Sequence, residues 1–192
     1  MDRVSILRLR VTLEDIEPTV LRRLEVPEAI RLDRLHLVLQ AAMPWQTYHL
    51  WEFQGGDTRW GVPDLSWDDD TRPAAKVTLA DVVQAADGSA FGYLYDFGDS
   101  WQHRITVEDR IEPDPRHLYP RLTDAEGRCP PEDVGGFPGY ERFLDILADP
   151  QHPEHQEILD WHGGPFDPDV PPTDEMRLDV LKLAKKWKPR SR

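Results

Sequence analysis

Hydrophobic and polar residues alternate over positions 4–13. Leu7, Leu9, Val11 and Leu13 fall on one face, and Arg8, Arg10 and Thr12 on the other. A period of two predicts a half-buried strand. Glu17-Pro18 turns the chain, and Val20 to Val26 reads as a second strand closed by Pro27. From 32 to 43 the period lengthens. Leu32, Leu35, His36, Leu39 and Met43 form one helical stripe, which Pro44 stops. A histidine in that stripe is expected to be a core residue bonded to a backbone carbonyl. Strand periodicity returns at 47–53, where His49, Trp51 and Phe53 share a face. Gly55-Gly56-Asp57 predicts a turn, with Arg59 to Gly61 as a short return strand.

Residues 63–73 carry Asp64, Asp68, Asp69 and Asp70 and read as an acidic loop without the glycine and final glutamate of a calcium-binding EF-hand. Thr78-Leu-Ala-Asp81 resembles a capping box ahead of a short helix with Leu79, Val82 and Val83 on its apolar face. Phe91, Tyr93 and Tyr95 alternate, as do Trp101, His103, Ile105 and Val107, which predicts a hairpin joined through Asp96-Phe-Gly-Asp99-Ser100. Residues 112–137 have no period and are rich in proline and glycine, a long functional or mobile loop. Three helices follow, marked by Tyr140, Phe143, Leu144 and Leu147, then Ile158, Leu159 and Trp161, then Met176, Val180, Leu183 and Trp187. Strands dominate the first half and helices the second. The fold class expected is α+β, with helices packed on a largely antiparallel sheet. Residues 1–188 are expected to form one domain and 189–192 a basic tail.

Composition narrows the class. The chain has 192 residues, of which 39% are hydrophobic and 31% charged, a globular balance. The one cysteine, Cys129, forbids an intramolecular disulfide and points to a reducing, cytoplasmic setting. No apolar run approaches the roughly 18 residues of a membrane helix, and Met1-Asp2-Arg3 leads straight into a strand pattern, so no signal peptide is expected. The net charge is −13, although residues 182–192 carry basic residues and no acid. An acidic body repels phosphate backbones, so nucleic-acid contact is expected only through the basic C-terminal tail.

Two polar clusters suggest chemistry. At the hairpin tip, Asp96-Phe-Gly-Asp99 copies a kinase tripeptide, but no glycine-rich loop, strand lysine motif or His-Arg-Asp accompanies it. His103 shares the inward strand face and therefore needs a hydrogen-bond partner or a metal. In the second cluster, His152-Pro-Glu154-His155 is followed by His162. A His-x-x-His spacing near a carboxylate suits zinc or another divalent metal. His103, His152 and His155 are the candidate metal ligands. Asp99, His103, Asp133 and Glu154 are the candidate acids and bases. Cys129, Glu132 and Asp133 in the long loop are available to complete such a site.

Taken together the motifs are more specific than any one of them. Pro18-Thr-Val-Leu-Arg22-Arg23, Leu35-His36, Gln40-Ala-Ala-Met-Pro-Trp45, His49-Leu-Trp-Glu-Phe53 and Tyr93-Leu-Tyr-Asp-Phe-Gly-Asp-Ser-Trp-Gln-His103 come in this order. Cys129-Pro-Pro-Glu-Asp133-Val-Gly-Gly136, Gly139-Tyr140, His152-Pro-Glu-His155 and Phe166-Asp-Pro168 follow. Over roughly residues 4–180 the chain resembles the plasmid pRiA4b Orf-three-like family. The resemblance implies an association with plasmids and insertion elements, where members carry the label TnpR, and a fold similar to a small α+β archaeal protein. Leu21 stands where the family pattern has tryptophan before the paired arginines, and Val134 where a second cysteine is common.

Two functions are expected on these grounds. The first is a binding module for a protein partner. Its recognition surface is drawn from Trp45, His49, Trp51, Tyr95, Asp96 and Trp101, because Trp45, Trp51, Trp60, Trp67 and Trp101 exceed what a small core usually absorbs. The second is a metal-dependent hydrolase built on the histidines and a carboxylate.

Overall fold

The computed structural model describes residues 5–63, 70–88 and 90–188. The acidic residues 64–69, with Trp67 among them, and the 189–192 tail lie outside the described residues. The alternating segment forms β1 (Ile6–Leu13), with Leu7, Leu9, Val11 and Leu13 all buried. β2 (Leu21–Pro27) pairs with it antiparallel, from Ile6 opposite Pro27 to Thr12 opposite Leu21. α1 (Leu32–Ala42) follows and buries Leu32, Leu35, Val38 and Leu39 in the same hydrophobic core as the β1 side chains.

β3 (Trp51–Gly55) and β4 (Thr58–Gly61) make a hairpin, and the two-residue β5 (Arg72–Pro73) pairs parallel to β4. α2 (Leu79–Ala85) begins in the expected capping box: the Thr78 side chain accepts from the Asp81 amide while the Asp81 carboxylate accepts from the Thr78 amide. β6 (Ala90–Tyr95) and β7 (Trp101–Ile111) form the predicted long hairpin. β8 (Arg121–Glu126), α3 (Gly136–Ala148), α4 (His155–His162) and α5 (Thr173–Trp187) complete the described chain. The sheet order is β5-β4-β3-β6-β7-β1-β2-β8. Every pairing but β4 with β5 is antiparallel, so the fold is α+β on a mostly antiparallel sheet.

Three local expectations change. The segment 112–137 is not wholly irregular, because β8 lies inside it and pairs with β2. Only Leu122 of that strand is fully buried, so its alternation was too weak to read. The sheet therefore reaches well past the midpoint of the chain, and α1 and α2 lie before it; the split into a strand half and a helical half is not sharp. Lastly, four of the five tryptophans expected at a recognition surface are packed inside rather than displayed, and the fifth, Trp67, lies outside the described residues. Trp45, Trp60 and Trp101 are buried and Trp51 is half-buried.

One buried cation ties the elements together. Arg22 has no exposed surface. Its guanidinium donates to the carbonyls of Ala42 at 2.7 Å, Leu21 at 2.7 Å and Glu126 at 2.6 Å, and to Cys129 Sγ at 3.3 Å. Ala42 is the last residue of α1, so the cation sits against the negative end of the helix and satisfies a carbonyl the helix leaves open. Cys129 Sγ lies 3.1 Å from Met43 Sδ, and burial pushes its thiol pKa up against the opposing influence of Arg22. The start of the loop that leads to Glu132 and Asp133 is thereby fixed to β2 and α1.

Candidate functional site

At one end of the sheet, three separate segments converge. The turn after α1 brings His49, the tip of the β6–β7 hairpin brings Asp96, and the loop after Cys129 brings Glu132 and Asp133. His49 does not lie on β3, as its spacing suggests, but in the bent segment just before it. Its Nε2 faces Asp133 Oδ1 at 3.0 Å, Asp96 Oδ2 at 3.5 Å and Glu132 Oε2 at 3.8 Å. One imidazole nitrogen thus meets three carboxylates.

Each partner is held by its own backbone logic. Asp96 ends β6 with φ of 56°, and Asp133 has φ of 57°, both in the left-handed region that aspartate tolerates better than most residues. The Asp96 amide donates to Leu50 O at 2.9 Å, and Asp96 Oδ1 accepts from the Gly98 amide at 2.9 Å, which leaves Oδ2 for His49. Glu132 Oε1 accepts from the Gln46 amide at 2.6 Å and from the Tyr95 hydroxyl at 2.9 Å. Asp133 Oδ2 accepts from the Tyr48 hydroxyl at 2.9 Å. That bond, together with the surrounding acids, raises the Tyr48 pKa to about 12, while burial and the Glu132 bond push Tyr95 up as well. Both hydroxyls remain protonated donors at neutral pH.

The loop is locked to the hairpin from below. Asp99 Oδ2 accepts from the Gly135 amide at 3.1 Å. A side chain at Gly136 would meet Asp99 O at 2.7 Å, and its φ is +66°, so only glycine lets the loop approach this closely. The Trp45 indole, stacked on Tyr95 at 5.0 Å, donates to Pro130 O at 3.0 Å. These contacts set the position of Glu132 and Asp133 without themselves entering the cluster.

Two atoms in the centre have no hydrogen-bond partner although they are shut off from solvent: His49 Nε2 and Glu132 Oε2. The Glu132 side chain keeps 8% of its surface and that of Asp96 9%. Ligands about 2.1 Å from a zinc ion in a tetrahedral site stand roughly 3.4 Å apart. The 3.0 and 3.5 Å separations at His49 match that spacing with little movement. Among the described residues, His49, Asp96 and Asp133 form the group of three whose donor atoms all lie within 4.8 Å of one another.

The residues singled out by sequence are distributed differently. His49, Asp96 and Asp133 belong to the cluster, and Tyr95 supports it. Asp99 secures the loop. His103 is buried, with Nδ1 facing the carbonyls of Tyr93 at 3.2 Å and Trp101 at 3.0 Å. Burial lowers its pKa to about 4. His103, His152 and His155 are not gathered as a ligand set. His152 Nδ1 accepts from the Glu154 amide at 3.1 Å, His155 Nδ1 lies 2.9 Å from Ile146 O, and Glu154 pairs with Arg142. Those histidines shape the start of α4. Trp45 and Trp101 are packing residues, and Trp51 stacks on His36 at 4.1 Å. His36 Nδ1 meets the Tyr93 hydroxyl at 2.8 Å, a side chain rather than the backbone carbonyl expected. Sequence reasoning missed Tyr48 and the pairing of His49 with Glu132. The adjacency of Tyr48 to His49 and of Glu132 to Asp133 was the available signal.

An eight-stranded α+β fold with an imidazole–carboxylate cluster at the sheet end defines the class. The model of the plasmid pRiA4b ORF-3-like protein family matches residues 5–175, and the chain belongs to that family. It is 46% identical over 189 residues to the uncharacterized protein y4hQ of Sinorhizobium fredii (strain NBRC 101917 / NGR234), a match that covers 98% of this chain and 97% of that protein. Among solved structures it is similar to a protein of unknown function, MM3350, from Methanosarcina mazei Go1. That match has a TM-score of 0.82 and 30% identity, covering 90% of this chain and 98% of the other. No helix among the described residues is long and apolar enough to cross a membrane.

Proposed function

We propose that the protein is a divalent-metal-dependent hydrolase whose centre is His49, Asp96 and Asp133, with Glu132 as general base. The observation that carries this reading is the convergence of three carboxylates on His49 Nε2, with Glu132 Oε2 buried and without a hydrogen-bond partner 3.8 Å from it. A buried polar atom without a partner costs about 1–3 kcal/mol. A cation gives the imidazole nitrogen and the carboxylates a shared partner. Nitrogen and carboxylate donors suit zinc or manganese.

A divalent cation there supplies Lewis acidity. Glu132 is oriented by Tyr95 and the Gln46 amide through Oε1, which leaves Oε2 free to accept a proton from the attacking water. The water oxygen bonds to the carbonyl carbon, the bond to the leaving group breaks, and the leaving group receives the proton that Glu132 took. Tyr48 keeps Asp133 aimed at His49 through its other oxygen. A second reading, a docking surface for a protein partner, has the exposed Tyr48, Leu50 and Phe97 in its favour, each next in sequence to a residue of the centre.

Calorimetric titration with zinc and with manganese tests the first reading. One site per chain is expected, with Asp96→Asn and Asp133→Asn each weakening it at least tenfold. Glu132→Gln should retain the metal and lose turnover. No binding at millimolar metal by a folded protein would remove the hydrolase reading and leave the docking surface.

A further inference from the structure

Asp133 faces two ways. Besides meeting His49, it forms part of the wall of a cavity of about 230 Å³ between α3 and α4. The rest of the wall combines the apolar Val134, Phe143, Ile146, Ile158 and Trp161 with the charged Arg142 and Glu157. α4 buries none of its residues, and Trp161 keeps 49% of its surface although its ring packs edge-on against Phe143 at 5.9 Å. A partly apolar hollow is thus left open, and it shares Asp133 with the centre.

We propose that this cavity is the subsite for the apolar group of an uncharged acyl substrate, an ester or amide, whose carbonyl lies at His49, Asp96 and Asp133. The proposal rests on the metal-centre reading above. Charge supports the choice of substrate. Asp96, Glu132 and Asp133 outweigh one divalent cation, so a carboxylate or phosphate at the reacting end is repelled. Shape supports the size of the group. At about 230 Å³ the hollow is large enough for a short acyl chain or a benzyl group. Position supports the assignment, since Asp133 is shared by the hollow and the cluster. A chain entering between α3 and α4 is thereby directed toward the centre.

Hydroxamates test this without a known substrate, because they hold a metal through an acyl-like head. The zinc-loaded full chain would be titrated with acetohydroxamate and hexanohydroxamate. Two buried methylenes are worth about tenfold in affinity, so the hexanoyl probe should bind at least tenfold tighter. Ile158→Asp should remove that gain, and so should Trp161→Ala, a change at a half-exposed position whose folding a circular dichroism spectrum checks. Zinc affinity measured on each variant reports whether the centre survives. Equal affinity of the two probes for the zinc-loaded protein, or a gain that persists in both variants, overturns the subsite while leaving the metal centre standing. Failure of zinc itself to bind overturns both.

Discussion

Two buried histidines should make this fold steeply acid-sensitive. His36 and His103 are 5% and 1% exposed. Burial lowers the pKa of His36 to about 3 and that of His103 to about 4, against about 6.5 in an unfolded chain. A base with a depressed folded-state pKa favours the folded state fully above its unfolded pKa and loses that advantage as pH falls toward its folded value. The window therefore runs from about pH 6.5 down to 4 for His103 and to 3 for His36. Between pH 5.5 and 4.5 the unfolded chain binds nearly one proton at each ring, while the folded chain binds almost none at His36 and up to about a quarter at His103. His36 then removes about 1.3 kcal/mol per pH unit and His103 about 1.2, together about 2.5. Down to pH 3 the two rings together remove about 8 kcal/mol, a large share of the roughly 5–15 kcal/mol that typically stabilises a domain. Urea denaturation in steps between pH 6.5 and 4.5 measures the slope. His36→Gln can retain a hydrogen bond to the Tyr93 hydroxyl but cannot titrate, so its slope should be shallower by about 1.3 kcal/mol per pH unit. Any packing cost of the substitution appears as a constant offset and leaves the slope alone. Equal slopes for the variant and the parent would refute the assignment of a neutral, proton-excluding site to His36.

Arg22→Ala should cost at least about 3 kcal/mol, because it strands two buried carbonyls and a third part-buried one and opens a cavity; chemical denaturation near neutral pH measures it. Arg22→Lys should restore little of that loss, since an ammonium cannot reach the same fork of acceptors. Gly127→Ala should lower stability by more than about 2 kcal/mol, seen as a drop in the denaturation midpoint. A Cβ there would sit 2.2 Å from Thr19 O on a backbone with φ of +64°.

The fold was legible wherever periodicity was strong. β1, β7 and α1 carry four or more apolar residues in step, and the capping box at Thr78 and Asp81 is a local code that needs no tertiary knowledge. β8 escaped because an edge strand with one fully buried residue has almost no pattern to show. The centre was only partly legible for a different reason. Asp96 and Asp133 were singled out, yet nothing in their spacing says that they meet His49. That meeting depends on β3 pairing with β6, and on Gly135 and Gly136 docking against Asp99. The histidines at 152 and 155 drew attention by local density, and the structure spends them on local hydrogen bonds around the start of α4.

The two ends of the sheet limit how this protein can associate. At one end β5 has only two residues, and Pro73 offers no amide hydrogen to an incoming strand. At the other, α5 lies across β8, and Arg177 of that helix already donates to the Thr123 carbonyl at 3.3 Å. Among the described residues, neither edge presents a long row of free backbone groups, so a foreign peptide gains little by adding itself as a ninth strand. Recognition then falls to side chains. Concentrated solutions of the folded chain should therefore resist the edge-to-edge stacking that troubles many sheet proteins.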